Sequence, residues 1–157
     1  MSRRPFVLGA ILAVALVGLM DAGYLAWAAA MNVAPGCTFI HGCDIVAASP
    51  LSHFLGVPWG FYGVAFYFVA MAFALWGLSS RAAPAPLYLR FIGTVGFLMS
   101  LYFLYLQPFV IHAWCEFCLL SGLTATLIFI LSWFVVQSEH VESGGHGAGL
   151  HAPGPGL

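Results

Sequence analysis

Four cysteines are the residues of this chain whose type and spacing could carry out chemistry. Cys115 and Cys118 have the C-x-x-C spacing of a reactive pair, and Cys37 and Cys43 enclose a loop of five residues. A cross-link across so short a loop gains little chain entropy, so a disulfide there is expected to exchange readily. Thiol–disulfide exchange needs a thiolate and access to a second sulfur. The two pairs therefore favour a redox relay.

Two other uses of the four cysteines stay open. Both pairs could form structural disulfides that attach the loop to the rest of the chain. The thiols could also hold a zinc ion with His41 or His112, although five residues between Cys37 and Cys43 exceed the usual two to four. A haem attachment would need histidine where Leu119 stands. We predict no metal site.

The elements that must position these cysteines follow from a very apolar composition. The chain has 157 residues, of which 62% are hydrophobic and 6% are charged, and its mean hydropathy is +1.01. A soluble domain carries charge at about a quarter of its positions, so we expect lipid to cover this chain. Its net charge of −1 and its lack of lysine leave no basic surface for nucleic acid.

Four apolar stretches are each long enough to cross a bilayer as a helix, which takes about 20 residues. A more polar outward loop, expected to contain a short interfacial helix, occupies residues 31–57. Residues 1–137 are thus predicted to form an all-α, four-helix integral membrane domain. Residues 138–157 form a Gly/Pro/His-rich tail that we expect to be disordered. The predicted spans are 6–30, 58–78, 87–106 and 114–136.

The arginines predict the orientation of the chain in the membrane. With four spans, all of them fall on one side, which the positive-inside rule assigns to the cytoplasm; they are Arg3, Arg4, Arg81 and Arg90. Both termini are then cytoplasmic, and the cysteines lie at the outer, oxidising face, where disulfides persist. At the start of the fourth span, unpaired backbone N–H groups would stabilise a thiolate, whereas the carboxylate of Glu116 would oppose it.

A wider set of residues resembles the vitamin K epoxide reductase family, in particular its bacterial members. The shared features are the C-x5-C pair, Ser49 six residues after the second cysteine, G-x-P at 56–58 opening the next helix, and C-x-x-C opening the last one. The resemblance covers about residues 6–136. It implies a four-helix bundle around a quinone near the outer face of a bacterial inner membrane. The quinone would be ubiquinone, menaquinone or of the vitamin K type.

The resemblance also implies a role for each cysteine. Cys37 would exchange with a reduced partner protein, Cys43 would relay to Cys115, and Cys118 would reduce the quinone. Bacterial members reoxidise thioredoxin-like proteins, and here we expect a separate thioredoxin-like partner on the outer side. The animal enzymes have a tyrosine where this chain has Gly122, so epoxide reduction is not expected. Reduction of quinone or epoxide for its own sake, and metal binding without catalysis, are the alternative functions.

Further candidates concern proton transfer and the quinone pocket. Asp21 lies well inside a span, where an ionisable group is a functional candidate by default. It could accept protons released by dithiol oxidation, or it could anchor the loop. Ser49 before Pro50 predicts the N-cap and first residue of a short helix over 50–55, and the resemblance also places Ser49 near the quinone. Aromatic residues could line the pocket or could simply anchor the interface; they are Phe54, Trp59, Tyr62 and Phe117.

Overall fold

The computed structural model describes residues 3–79 and 84–145. Within these ranges, four helices are long and apolar enough to cross a membrane. They confirm the predicted fold class, an all-α four-helix bundle, and a multi-pass membrane protein. The four long helices are α1 (Arg3–Ala30), α3 (Trp59–Ser79), α4 (Pro84–Leu106) and α5 (Glu116–Gly145).

Small residues allow the helices of the bundle to approach closely. α1 packs against α3 and α5, and α4 packs against α5. A Cβ atom at Gly60 would lie only 2.6 Å from the backbone nitrogen of Ala26, so glycine is what lets α3 approach α1. The core includes Tyr67, whereas large apolar side chains such as Phe68 and Phe91 point outward. This outward apolar surface is what a lipid environment requires.

The loop between α1 and α3 covers one end of the bundle. The short helix predicted for this loop is present, but it is α2 (Cys43–Ala48), which lies before the predicted range of 50–55, and a single 3-10 turn (Pro50–Ser52) follows it. The backbone N–H of Leu51 donates to Ser49 Oγ at 3.2 Å. The predicted capping role of Ser49 is therefore confirmed.

The predicted helix over 50–55 is cut short by a small hairpin. β1 (His53–Phe54) pairs antiparallel with β2 (Val57–Pro58). The two residues between the strands, Leu55 and Gly56, have φ values of 51° and 81°. Positive φ at both central residues is the pattern of a type I′ hairpin turn, and Gly56 adopts it without strain. The chain therefore turns back toward α3 instead of continuing as a helix.

Two helices extend beyond their predicted ends. The third span was expected to stop at residue 106, but it continues as a π-helical turn (Gln107–Ile111), whose wider spacing accommodates Pro108 without an α-helical N–H donor. α5 continues to Gly145, since no glycine or proline interrupts the sequence from 123 to 143. The rest of the predicted tail, 146–157, lies outside the described residues, as does Arg81.

Candidate redox site

The four cysteines gather at the end of the bundle that the loop covers. Cys37 and Cys43 form a disulfide with their Cα atoms 5.8 Å apart, whereas Cys115 and Cys118 carry free thiols. Cys43 and Cys115 are buried, with 1% and 2% of their surface exposed, but Cys37 and Cys118 are only half-buried. Each pair thus has one half-buried residue and one buried residue.

Gly42 brings the loop pair against the residues that precede the C-x-x-C pair. Its φ is 143°, which a residue with a side chain rarely adopts. A Cβ atom there would lie 2.9 Å from the backbone oxygen of Trp114 and 3.2 Å from the Cβ of Ala113. Since Cys43 and Cys115 directly follow these contacting residues, the loop lies directly over the second pair.

The carboxylate of Glu116 attaches the loop to the start of α5. It accepts hydrogen bonds from the backbone N–H groups of Thr38, Phe39 and Ile40, and from the Thr38 hydroxyl. From the sequence, Glu116 was weighed only as a charge opposing a neighbouring thiolate, and this contact was missed. Successive backbone N–H groups in a short loop need hydrogen-bond acceptors. The sequence therefore indicates that an acceptor is present, but it does not identify Glu116 as that acceptor.

Gln107 is a second residue that sequence reasoning missed. It is buried, and its Oε1 atom accepts a hydrogen bond from the backbone N–H of Cys115 at 2.7 Å. Its backbone oxygen accepts a further bond from Ala113 at 3.1 Å. The π-helical turn thus places one amide side chain so that it orients the backbone of Cys115. The sequence did contain a signal for this contact: Gln107 is a polar residue directly before Pro108, at the end of a span that lies on the side of the cysteines.

Cys115 is the thiol whose surroundings favour the thiolate. It lies in the connection between two spans, and the backbone N–H of Cys118 approaches its Sγ at 3.4 Å. The hydrogen bond from the Cys118 side chain lowers the pKa of Cys115 most, and backbone N–H groups of residues 117 and 118 lower it further, while burial acts in the opposite direction. Cys115 is therefore suited to act as a nucleophile toward another sulfur.

This arrangement predicts how the titration of Cys115 responds to substitution. In the reduced Cys37→Ser/Cys43→Ser protein, we expect its ultraviolet thiolate absorption to persist to a pH below the usual thiol value of about 8.5. Because the pKa of Cys115 is lower in the folded state, its thiolate contributes to the free energy of unfolding at high pH. That contribution is lost as the pH falls through the folded-state pKa. Cys118→Ala should raise the Cys115 pKa, whereas Cys118→Ser keeps a hydroxyl donor and should raise it less. Identical titrations in all three proteins would contradict this cause.

Two apolar cavities adjoin the C-x-x-C pair. The first, of about 320 Å³, lies beneath the loop, and Cys43, Cys115 and Cys118 contribute to its lining. The second, of about 270 Å³, includes Cys118 and Gly122 in its lining. A side chain at Gly122 would project toward Ser100 and occupy part of this space. Small-molecule sites have volumes of roughly 300–1,000 Å³, so the first cavity is large enough for a small ring such as that of a quinone.

The predicted quinone-contact residues divide between these cavities and other positions. Trp59 lines both cavities, and Tyr62 lines the second. Ser49, Phe54 and Phe117 line neither of the two. The Phe54 ring stacks on Trp59 with centroids 5.3 Å apart, and Phe117 contacts another aromatic ring in α1. Of the predicted quinone-contact residues, Trp59 and Tyr62 therefore border a cavity, whereas the other three do not.

Asp21 is buried among the helices and is not the anchor of the loop. Only 6% of its surface is exposed, and neither carboxylate oxygen has a hydrogen-bond partner among the described residues. The Ser121 side chain makes a polar interaction with the Asp21 carboxyl group, and Asp21 interacts electrostatically with Tyr67 and with the C-x-x-C pair. The anchoring hydrogen bonds that were one interpretation of Asp21 are made by Glu116 instead. Within the described ranges, no group of three or more metal-ligating side chains is present.

A four-span bundle that carries a disulfide loop over a C-x-x-C pair, beside apolar cavities, defines a membrane thiol oxidoreductase. The sequence model described as the vitamin K epoxide reductase family matches residues 9–133, and the chain belongs to this family. The resemblance drawn from the motifs is thereby confirmed. No curated protein matches the chain. Membership makes the protein a membrane oxidoreductase of a family associated with quinones and with thioredoxin-like partners.

Proposed function

We propose that this protein oxidises a separate thioredoxin-like protein and passes the electrons through its two cysteine pairs to a quinone. The observation that carries the proposal is the order of burial along the four cysteine residues. Cys37 and Cys118 are half-buried, whereas Cys43 and Cys115 are buried where the loop packs against the bundle. A relay with two accessible ends and a protected middle admits a protein at one end and a small molecule at the other.

Electrons enter through the loop pair. A thiolate of the reduced partner attacks Cys37 and releases Cys43, and the second partner thiol then resolves the mixed disulfide. Cys43 attacks Cys115 of an oxidised C-x-x-C pair, and Cys37 displaces Cys115 to restore the loop disulfide. Each step exchanges one disulfide for another, so two electrons move and none is lost.

Electrons leave through the C-x-x-C pair. Oxidation of the Cys115 and Cys118 thiols to a disulfide releases two electrons and two protons, and a quinone that accepts both becomes a quinol. Cys118 lines both cavities and is the less buried residue of the pair by exposed surface. A quinone bound beside Cys118 would take up both electrons and both protons in the same step in which the Cys115 thiolate forms the disulfide with Cys118. The observed combination, with the loop oxidised and the C-x-x-C pair free, corresponds to the state ready to reduce quinone.

The proposed orientation places the cysteines at the outer face of a bacterial inner membrane. Arg4 lies in the first turn of α1 and Arg90 lies in the first half of α4, at the end of the bundle opposite the cysteines. The positive-inside rule then makes both termini cytoplasmic. The outer face is oxidising and accessible to a soluble partner. Ubiquinone, menaquinone or a vitamin K-type quinone would be the acceptor.

The function is tested by following the thiols of the reduced, detergent-solubilised protein after addition of a ubiquinone or menaquinone analogue. We expect quinone to oxidise the Cys115–Cys118 pair in the wild type and not in Cys118→Ala. Cys37→Ala should keep the reaction with quinone but lose turnover with a reduced thioredoxin-like protein. If quinone leaves the wild-type thiols unchanged, the proposed function is wrong.

Asp21 is proposed to take up a proton from the C-x-x-C pair as it is oxidised. Because a buried carboxyl without a partner destabilises a fold, Asp21→Asn should leave the melting temperature in detergent unchanged or raise it. The same substitution should slow oxidation of the thiols by quinone about 100-fold, the lower range for general acid–base groups. Ser132→Ala, which removes another buried polar group of the spans, is the control. An unchanged rate would remove Asp21 from the reaction.

A further inference from the structure

Glu116 makes a concentrated set of contacts between the two cysteine pairs. Oε1 accepts from the Thr38 backbone N–H at 2.7 Å and from the Thr38 hydroxyl at 3.1 Å. Oε2 accepts from the backbone N–H groups of Phe39 at 2.9 Å and Ile40 at 3.3 Å. A carboxylate offers about four lone-pair sites. All four of the hydrogen bonds it makes here go to one half of the disulfide loop.

The position of Glu116 in the chain gives these contacts a consequence for the relay. Glu116 directly follows Cys115 and begins α5, while Thr38 directly follows Cys37. The side chains of Thr38, Phe39 and Ile40 are exposed, so burial contributes little to holding this half of the loop. Charge-assisted hydrogen bonds are stronger than neutral ones. The carboxylate therefore holds a segment that side-chain packing does not.

We propose that Glu116 is a positioning residue that clasps the Cys37–Cys43 loop onto the first turn of α5 and so holds Cys43 beside Cys115. Gly42 fixes the other half of the loop through its contact with Trp114. With the clasp released, residues 38–41 are free to move and Cys43 spends less time within reach of Cys115. This inference rests on the proposed relay but concerns one step of it, the transfer between the pairs.

Transfer between the pairs can be isolated from the reaction with quinone. Cys37→Ser/Cys118→Ser protein retains only Cys43 and Cys115, so the rate at which a mild oxidant such as diamide joins them reports how often the two sulfurs meet. Cys37→Ser/Cys43→Ser protein retains only the C-x-x-C pair, and the rate of its oxidation by a quinone analogue reports the exit step.

Glu116→Gln keeps the size of the side chain but replaces one acceptor oxygen with an amide donor. We expect it to slow Cys43–Cys115 bond formation roughly tenfold or more, since it removes the charge and at least one bond. Oxidation of the C-x-x-C pair by quinone should slow much less than Cys43–Cys115 bond formation, because no sulfur of the loop takes part in that reaction. General damage to the fold would slow both reactions, so the contrast between them separates positioning from stability.

Thr38→Val provides a second, milder variant. It removes the hydroxyl bond and keeps the backbone bonds, so it should slow disulfide formation by about threefold when Glu116 is present. In a protein that already carries Glu116→Gln, Thr38→Val should slow disulfide formation by less than threefold. The two substitutions remove the same hydrogen bond, so their effects are not additive. Unchanged disulfide formation in Glu116→Gln would overturn the clasp. If quinone oxidises the thiols of neither the wild type nor any variant, the proposed function is wrong. The role of Glu116 would then be judged on the rate of Cys43–Cys115 disulfide formation alone.

Discussion

Oxidation of proteins that retain one cysteine from each pair is expected to join Cys43 to Cys115 almost completely and the other combinations poorly. Cys43 and Cys115 are both buried, line the same cavity and follow residues that touch. Cys37 is not part of that lining and is only half-buried. Of the four double-serine variants, the one with Cys43 and Cys115 should form its bond at least about 100-fold faster, as expected for groups held close together.

The four reactions are compared by mass spectrometry of linked peptides after a brief treatment with diamide. Unfolding in denaturant before oxidation provides the control, because it removes the preference that the fold imposes. Should Cys37 join Cys115 as fast as Cys43 does, the internal order of the relay would be wrong, although both pairs would still be redox-active.

Gly42→Ala is expected to be the most damaging single change in the loop. Alanine at a φ of 143° is strained, at a cost of about 1–3 kcal/mol. Its Cβ would also meet the backbone oxygen of Trp114 at 2.9 Å, so the loop must move away from the C-x-x-C pair. We expect Cys43–Cys115 bond formation to slow by roughly 10- to 100-fold, the equivalent of that cost.

Gly36→Ala is the matched control for this experiment. Gly36 lies in the same loop, but a Cβ atom there would have no neighbour within 4 Å, and its φ is ordinary. The Gly36 variant should form the Cys43–Cys115 bond at the parental rate. Equal rates in the Gly42 and Gly36 variants would show that the contact with Trp114 does not position Cys43.

The sequence was most informative where a property adds up along the chain. Hydropathy summed over about 20 residues identifies a span whatever its neighbours are, and the described residues contain four helices long and apolar enough to be spans. Because two spans separate the C-x-x-C pair from the first cysteine pair, both pairs are predicted to lie on the same side of the membrane. The Ser49 cap was equally predictable, because its hydrogen bond reaches only two residues ahead.

The boundaries that were missed depend on contacts that the local sequence does not contain. Pro108 was expected to end the third span, but the chain absorbs it in a π-helical turn whose first residue, Gln107, bonds to Cys115 eight residues later. The hairpin before α3 required positive φ at Leu55, a conformation that leucine does not favour by itself. Tertiary packing decided both.

By itself, the sequence determined that this protein is a membrane bundle with two cysteine pairs at one end and a motif set of the vitamin K epoxide reductase family. Only the tertiary structure decided which side chains serve those cysteines. Glu116 meets its loop partners 76 to 78 residues away in the chain. Which aromatic residues face a cavity depends on how each helix is rotated about its axis. Neither property can be summed along a sequence, because both arise when distant segments pack together.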